Sequence, residues 1–132
     1  MRTALTIGGI ILAILLVLAI CWVLFMPSHA GDRSKLNREF TQAEQHLIDT
    51  RHISAQELSA ATCDNGANCW VAINGVVYDM SGIPSWARGL HHGIKAGHDV
   101  TEDFVKSGHS VRHLQKLPVV GSLSGEDTPQ SQ

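Results

Sequence analysis

The sequence predicts a small α+β domain behind one N-terminal transmembrane helix. Three observations lead to this prediction: a long uncharged apolar run near the N-terminus, two β-rich runs separated by Asn74-Gly75, and serine or threonine residues placed where they can cap short helices. The chain has 132 residues, which is enough for one domain. Much of its 44% hydrophobic content lies in residues 1–26, so the domain itself is less apolar than that figure suggests.

Residues 1–26 are predicted to form the membrane anchor. No charged side chain occurs from Ala4 to Met26, and as a helix at about 1.5 Å per residue this run is about 34 Å long, enough to cross a bilayer. A cleaved signal peptide is the alternative, because Arg2 precedes the run and small residues follow it before Gly31. The run is longer than the roughly 7–15 residues of a signal core, which favours the anchor.

Two signals disagree about the side of the membrane on which the domain lies. Cys63 and Cys69 bracket a run of turn-forming residues that would bring the two thiols together, and the predicted disulfide places the domain outside the cytoplasm. Basic residues favour the cytoplasm, and three of them follow the span, namely Arg33, Lys35 and Arg38. The cysteines and the signal-like N-terminus lead us to favour the periplasmic or extracytoplasmic side.

Residues 27–51 are predicted to be a linker that contains an amphipathic helix. Pro27 would end the first helix or lie just beyond it. From Ser34 to about Asp49 the apolar residues recur at spacings of four, three and four, which places them on one helical face: Leu36, Phe40, Ala43 and Leu47. This face could lie against the domain or the membrane surface, or the helix could be a solvated spacer.

The domain itself is predicted to span residues 52–123. Ser54 can cap a short helix that runs to about Ala61, because Glu57 stands three residues later. Asn74-Gly75 then predicts a two-residue hairpin turn between strands Trp70–Ile73 and Val76–Asp79. Residues 81–97 are rich in Gly, Pro and His and are predicted to form a loop with at most short helical turns.

The C-terminal part of the domain is predicted to contain two short helices and a closing strand. The Thr101 hydroxyl can cap a helix that Gly108 stops just before His109. A second short helix follows from Ser110, and Pro118 opens the strand. Residues 124–132 are polar and are predicted to be a disordered tail.

Composition narrows the possible functions. A net charge of −2 and a pI of about 6.4 provide no basic field for phosphates, so nucleic acid is not an expected partner. The sequence contains no nucleophile turn of the GxSxG kind and no glycine-rich nucleotide loop. Zinc is a weak candidate because neither the cysteines nor the histidines form two closely spaced ligand pairs.

Histidines are the most informative feature. The chain has eight, and five of them fall close together: His91, His92, His98, His109 and His113. Two imidazoles on opposing short helices could hold a flat iron macrocycle from both faces; alternatively the histidines are solvated turn residues. Small neighbours, Gly93 and Gly108, would let the backbone pass close to such a group. An apolar wall is available in Ile83, Leu90, Ile94, Val100, Phe104, Leu114, Leu117 and Val120.

Three segments, "CWVAINGVVYDM", "AGHDVTEDFVKSGHS" and "LPVVGSL", resemble the cytochrome b5 haem-binding domain, in particular its bacterial membrane-anchored versions. The resemblance covers about His52 to Leu123 and implies a short mixed sheet with paired short helices around a haem pocket. It also implies structural roles for the hairpin aromatics Trp70 and Tyr78. His98 and His113 match no ligand of the family and are predicted to be surface residues.

The resemblance implies that His91 and His109 are the axial ligands of a non-covalent haem b, because "HHGI" aligns with the H-P-G-G element of the family and "GHS" with its G-H-S element. Gly93 keeps its spacing to His91, whereas Ile94 replaces the second glycine of the element; both are predicted to be cofactor-binding residues. Two departures weaken the assignment. His92 replaces proline and becomes a rival to His91, and the interval between the two ligands is shorter than in vertebrate-type domains.

Two axial imidazoles leave no open position on the iron, so the resemblance implies an electron carrier rather than an enzyme. It would shuttle single electrons at the membrane between redox protein partners that the sequence does not name. Two alternatives remain. One is a haem or steroid-binding module of the membrane-associated progesterone-receptor type, against which the paired histidines argue because that type uses tyrosine ligation. The other is an accessory haem subunit of a dedicated oxidoreductase.

Overall fold

The structure is a computed structural model that describes residues 2–25 and 31–125. The end of the first helix at Pro27 and most of the predicted disordered tail lie outside the described residues. The helices are α1 (Arg2–Phe25), α2 (Gln42–Thr50), α3 (Ala55–Ser59), α4 (Thr101–Lys106) and α5 (Val111–Leu114), with 3-10 turns at Arg33–Leu36 and Pro84–Trp86. The strands are β1 (His52–Ile53), β2 (Trp70–Ile73), β3 (Val76–Asp79), β4 (Leu90–His91), β5 (Ile94–Lys95) and β6 (Val119–Leu123).

Helix α1 carries the apolar N-terminal run. Its stretch Ile7–Phe25 is long and apolar enough to cross a membrane, and the side chains of this stretch are exposed instead of packing on the domain. A signal sequence near the N-terminus would have the same length and composition. The predicted apolar helix is therefore present, and either of the two predicted roles, anchor or signal peptide, is consistent with it.

The centre of the domain is a four-stranded mixed sheet in the order β1-β6-β3-β2. Strand β6 runs antiparallel to β3 and parallel to β1. The predicted hairpin is confirmed: β2 pairs antiparallel with β3, and Asn74 and Gly75 adopt φ angles of 53° and 77°. Both residues take the left-handed conformation that a two-residue turn of this kind requires. The α+β class with a short mixed sheet is confirmed.

The sheet buries both of its faces, because successive side chains of a strand point to opposite sides. Val71 and Ile73 of β2 belong to one apolar cluster together with Tyr78, and this cluster faces α4 and α5. Trp70 and Ala72 belong to a second cluster, which α3 covers. The structure thus gives Trp70 and Tyr78 buried positions in the two cores. The first cluster is the one that reaches the functional site.

The helix predicted over about 34–49 is wrong as a single element. A 3-10 turn at Arg33–Leu36 comes first, and α2 begins only at Gln42, because Thr41 starts it with a capping box that pairs its hydroxyl and backbone with Glu44. Leu36, Phe40 and Ile48 pack against the core of the domain. The structure thus places this segment against the domain, one of the arrangements that the sequence left open.

The start of α4 also differs from the prediction. Thr101 does not cap the helix; it is the first helical residue, and its backbone N–H donates to Asp99 Oδ1 at 2.9 Å. Its hydroxyl accepts instead from the backbone N–H of Asn74 at 2.8 Å, which ties α4 to the β2–β3 turn. Helix α4 ends at Lys106, before Gly108. By contrast, Ser54 caps α3 as predicted, with its Oγ 3.0 Å from the Glu57 N–H.

The loop predicted over 81–97 contains a small hairpin that the sequence did not reveal. Strands β4 and β5 pair in the register His91 to Ile94, and the turn between them places His92 at φ 50° and Gly93 at φ 85°. Histidine is one of the few non-glycine residues enriched at positive φ. The sequence of β4 has no β-branched pattern that would predict a strand. It is a strand because it pairs with β5.

The predicted disulfide between Cys63 and Cys69 is present, with an S–S distance of 1.99 Å. It closes the loop between α3 and β2, where Thr62 and Cys69 also form an antiparallel bridge. Cys69 is buried in the same apolar cluster as Val71. The disulfide thereby attaches this loop to the apolar cluster that borders the functional site.

Candidate functional site

A cavity of about 580 Å³ opens on the face of the sheet that packs against α4 and α5. Its floor includes Val71 and Ile73 of β2, and its walls include Val100 and Phe104. The lining is mostly apolar. Cofactor and ligand sites in proteins have volumes of roughly 300–1,000 Å³ and mostly apolar walls with a few polar groups, so the cavity can enclose a cofactor.

Two histidines face each other across this cavity. His91 belongs to β4, and His109 lies in the loop between α4 and α5; both side chains are half-buried. Their ring centroids are 5.9 Å apart, and the ring planes make an angle of 28°. The predicted pair is therefore brought together from opposite walls, with the rings nearly parallel.

Strand alternation and an aromatic neighbour orient His91. Because adjacent side chains of β4 point to opposite sides, His91 faces the cavity and Leu90 faces solvent, where it is 51% exposed. The indole of Trp86 stacks on the His91 ring with centroids 5.2 Å apart and planes at 27°. Trp86 is buried at the end of the 3-10 turn Pro84–Trp86 and restricts the imidazole to one orientation.

Local hydrogen bonds hold the loop that carries His109. The His109 N–H donates to Ser107 Oγ at 3.1 Å, and Ser107 Oγ donates to Phe104 O at 2.7 Å. Ser110 then begins α5. The pKa of His109 lies below its usual value, first because burial disfavours the charged ring and then because His113 and His91 stand near it. A lowered pKa favours the neutral imidazole, which is the form that binds metals.

The remaining histidines of the cluster occupy different places. His92 is exposed at the turn but also lines the cavity, with its ring edge-on to His91 and centroids 4.3 Å apart. His98 is exposed and does not line the cavity. His113 is exposed, as predicted for a surface residue, yet it also lines the cavity, and its ring centroid lies 4.8 Å from that of His109. Its Nδ1 accepts from the Ser110 N–H at 3.2 Å.

Five residues of the predicted apolar wall line the cavity: Ile83, Ile94, Val100, Phe104 and Leu117. Leu90 does not line it, for the reason given above. Gly93 is at the tip of the turn, away from the cavity, and no atom lies within 4 Å of where its Cβ would be. Leu114 is 1% exposed in the core instead of on the wall, and Val120 belongs to the cluster on the opposite face of the sheet.

Sequence reasoning missed four apolar wall residues: Val71, Ile73, Met80 and Trp86. Alternation along β2 could have found the first two, because residues 71 and 73 share one face of the strand. No local pattern identifies Met80 or Trp86, since both reach the cavity only after the chain turns beyond β3.

The donor set fits an iron macrocycle and does not fit an isolated metal ion. Among residues 2–25 and 31–125, no group of three or more His, Cys, Asp or Glu side chains is placed to hold a metal. Two metal–nitrogen bonds of about 2 Å, with roughly 1 Å from each nitrogen to its ring centroid, separate the centroids of two opposed imidazoles by about 6 Å. The 5.9 Å between His91 and His109 agrees with this span.

Comparison with known proteins agrees with this geometry. The family model described as "Cytochrome b5-like Heme/Steroid binding domain" matches residues 54–124, which is more than half of the chain. The chain belongs to this family. Haem b is the usual cofactor of cytochrome b5-like domains, and the cavity with its two histidines fits it. The predicted family and cofactor are thereby confirmed.

Two solved structures are similar to this cytochrome b5-like domain. A Hadesarchaea cytochrome b5 domain protein is 41% identical, with a TM-score of 0.53; the match covers 57% of this chain and 100% of that one. A Methanococcoides burtonii cytochrome b5 domain protein is 32% identical, with a TM-score of 0.53 and coverage of 57% and 99%. Comparison with curated proteins found no match. Both structures come from archaea, so the bacterial subtype stays a prediction.

Proposed function

We propose that this protein is a membrane-anchored electron carrier in which His91 and His109 are the two axial ligands of haem b. One observation carries the proposal: two nearly parallel imidazoles lie 5.9 Å apart across an apolar cavity. With both axial positions filled by protein nitrogens, bound haem can exchange a single electron but offers no position for a substrate. Enzymatic chemistry at the iron is therefore not part of the proposal.

The orientation of the rings supports His91 over its rival His92. The His91 ring lies nearly parallel to that of His109 and is stacked on Trp86, so little movement is needed for both imidazoles to point at one iron. His92 is exposed at the turn and stands edge-on to His91. His92 also lines the cavity, so the variants described below compare the two residues directly.

The protein's own residues prepare the site for electron exchange in two ways. Burial lowers the pKa of His109, which favours the neutral imidazole that can bind a metal. The apolar walls exclude water, and the low polarity around the two ligands contributes to the reduction potential. If His91 and His109 hold the haem in both oxidation states, the protein would need little rearrangement for the electron exchange that the haem would supply.

We further propose that α1 remains attached and holds the domain at the extracytoplasmic side of a membrane, near redox protein partners. Two features support this arrangement: the apolar stretch Ile7–Phe25 and the disulfide between Cys63 and Cys69. Labelling of the two cysteines in intact cells, before and after reduction, tests the side. If both react with a thiol reagent without prior reduction, the domain lies in a reducing compartment and this part of the proposal is wrong.

The ligand assignment is tested by absorption and electron paramagnetic resonance spectra of the full chain purified in detergent and loaded with haemin. The wild type should give a reducible low-spin spectrum and should not bind carbon monoxide in its ferrous form. His109→Ala and His91→Ala should each lose that spectrum, whereas His92→Ala, the matched control on the same turn, should keep it. A low-spin bis-imidazole spectrum in His91→Ala that disappears in His92→Ala would assign the ligand to His92.

The same spectra separate the carrier from a binding module. Rapid carbon monoxide binding by the wild-type ferrous protein would show an open or labile axial position and would favour the haem or steroid-binding class. An accessory subunit would share the ligation and differ only in having one dedicated partner.

A further inference from the structure

The segment between α1 and the family domain packs against the two helices that flank His109. We define residues 31–38 as the strap. It lies wholly outside the region that matches the family model, which begins at residue 54. The strap nevertheless contacts α4 and α5, the two helices on either side of His109.

The first half of the strap binds the end of α4. The Asp32 N–H donates to Val105 O at 2.9 Å, and Lys35 Nζ donates to Val105 O at 3.0 Å and to Ser107 O at 2.5 Å. These carbonyls belong to the last turn of the helix, where the backbone oxygens have no partner within the helix and favour a cation. Ser107 is also the residue whose hydroxyl binds the His109 N–H.

The backbone of the strap lies directly on α4 at Gly31. Gly31 adopts a φ of 71°, and a Cβ at this position would come within 2.8–2.9 Å of the side chain and carbonyl of Val105. Only glycine allows this approach. Gly31 is thus already in contact with α4, the helix that precedes His109.

The second half of the strap binds the end of α5. Arg38 Nη1 donates to Leu114 O at 2.7 Å and to Leu117 O at 2.9 Å, and its guanidinium also pairs with Glu44. The Arg38 side chain is 2% exposed and lies over the Tyr78 ring, 5.3 Å from its centroid. A buried charge with several hydrogen bonds is held in one geometry, since any displacement would leave it unpaired.

The loop with His109 therefore has a cation of the strap on each side. Lys35 binds carbonyls two and four residues before His109, and Arg38 binds carbonyls five and eight residues after it. The loop itself is not part of a helix or strand, and the Ser107 hydroxyl accepts the hydrogen bond of the His109 N–H. Its position depends on how the ends of α4 and α5 are held.

We propose that Lys35 and Arg38 are positioning residues for the axial ligand His109, so that the segment following the membrane helix tunes the haem site. The inference rests on the proposed function, because it assumes that His109 binds the iron. Neither Lys35 nor Arg38 lines the cavity, but Lys35 binds the carbonyl of Ser107 and Arg38 binds that of Leu117, and both of these residues do line it, so the two cations act on His109 through backbone groups. A carrier of this family without the strap would have to hold the second ligand by other contacts.

The test compares full-chain variants loaded with haem in detergent. Lys35→Met removes the cation and keeps the length of the side chain, Lys35→Arg restores a cation, and Arg33→Gln is the control. Arg33 is also in the strap, but its pair with Glu102 is exposed, at 63% and 56% of the two side chains, and such pairs contribute little. The readouts are the rate of haem loss to an excess of an apo-haemoprotein and the low-spin resonance spectrum.

We expect Lys35→Met to lose haem about tenfold faster and to show altered g values, with recovery in Lys35→Arg and less than a twofold change in Arg33→Gln. Equal rates and spectra in Lys35→Met and the wild type would overturn the proposal, as would equal changes in Lys35→Met and Arg33→Gln. The Cys63→Ser/Cys69→Ser variant separates positioning from general loss of stability: it should melt lower and keep wild-type g values. If it shows the same g values as Lys35→Met, the strap has no specific effect on the ligand.

These outcomes differ from those that would refute the proposed function. If His109→Ala keeps the bis-imidazole spectrum, the ligand assignment fails whatever the strap variants do. If His109→Ala loses it and Lys35→Met behaves as the wild type, only the positioning role fails. Arg38→Met is a second probe of the strap, and Lys35→Met decides the matter should the Arg38 variant not fold.

Discussion

Replacing Cys63 and Cys69 together by serine removes the covalent link that closes the loop between α3 and β2. The two cysteines are six positions apart, and loop-closure entropy for a ring of this size predicts a loss of about 2 kcal/mol of unfolding free energy. For a domain of fewer than 100 residues, each kcal/mol changes the melting temperature by about 4–8 °C. We therefore expect the double variant to melt roughly 10–15 °C below the wild type.

The assay is thermal unfolding of the full chain in detergent, followed by the tryptophan and far-ultraviolet signals of the domain. The wild type treated with a reducing phosphine should melt with the double variant. Cys21→Ser is the matched control, because Cys21 is an exposed thiol in α1 outside the domain, and it should melt with the untreated wild type. Neither sulfur of the disulfide lines the cavity, so the haem spectrum should stay unchanged.

A melting temperature within about 2 °C of the wild type would refute the entropic reasoning, because it would mean that the loop 63–69 is equally restricted without its covalent link. A large drop that phosphine treatment of the wild type does not reproduce would point instead to a packing defect caused by the serines, since Cys69 is buried.

Two further predictions concern the cavity wall and the Arg38–Glu44 pair. Phe104→Ala removes a ring that is 8% exposed on the wall; we expect a loss of about 3 kcal/mol of unfolding free energy and faster haem loss, measured by denaturation and haem transfer. The pKa of Glu44 is lowered below its ordinary 4.5, first by the Thr41 backbone N–H and also by Arg38. A carboxyl with a lowered folded pKa stabilises the fold above its unfolded pKa and loses that contribution as the pH falls through the folded value. The wild type should thus be more stable than Glu44→Gln at pH 7, and the difference should vanish at low pH; a difference independent of pH would contradict the ion pair.

Local signals in the sequence were enough for several elements. Asn74-Gly75 predicted the β2–β3 hairpin because a turn of two positive φ angles depends on those two residues alone. Ser54 predicted the start of α3 because a cap acts over three residues. The spacing of Cys63 and Cys69 predicted the disulfide for the same reason. Each of these features is decided by residues that are close along the chain.

The tertiary structure decided the rest. Leu90 was expected on the cavity wall and lies outside it, because the β4–β5 pairing, and not hydrophobicity, determines which side chain faces inward. The Thr101 hydroxyl could have capped α4. Instead it accepts a hydrogen bond from the backbone N–H of Asn74 in the hairpin turn, 27 residues away in sequence. Which side chain faces the cavity and which residue caps a helix therefore depend on contacts between distant segments that meet only in the folded domain.

For this protein, then, short-range patterns in the sequence determined the membrane-length helix, the hairpin and the disulfide, and the resemblance to the cytochrome b5 family indicated His91 and His109. Only the tertiary structure brought His91 to 5.9 Å from His109, stacked Trp86 on it and laid the strap across the ends of α4 and α5. The physical reason is that packing distances and long-range hydrogen bonds between segments about 70–80 residues apart leave no periodic signal in the chain.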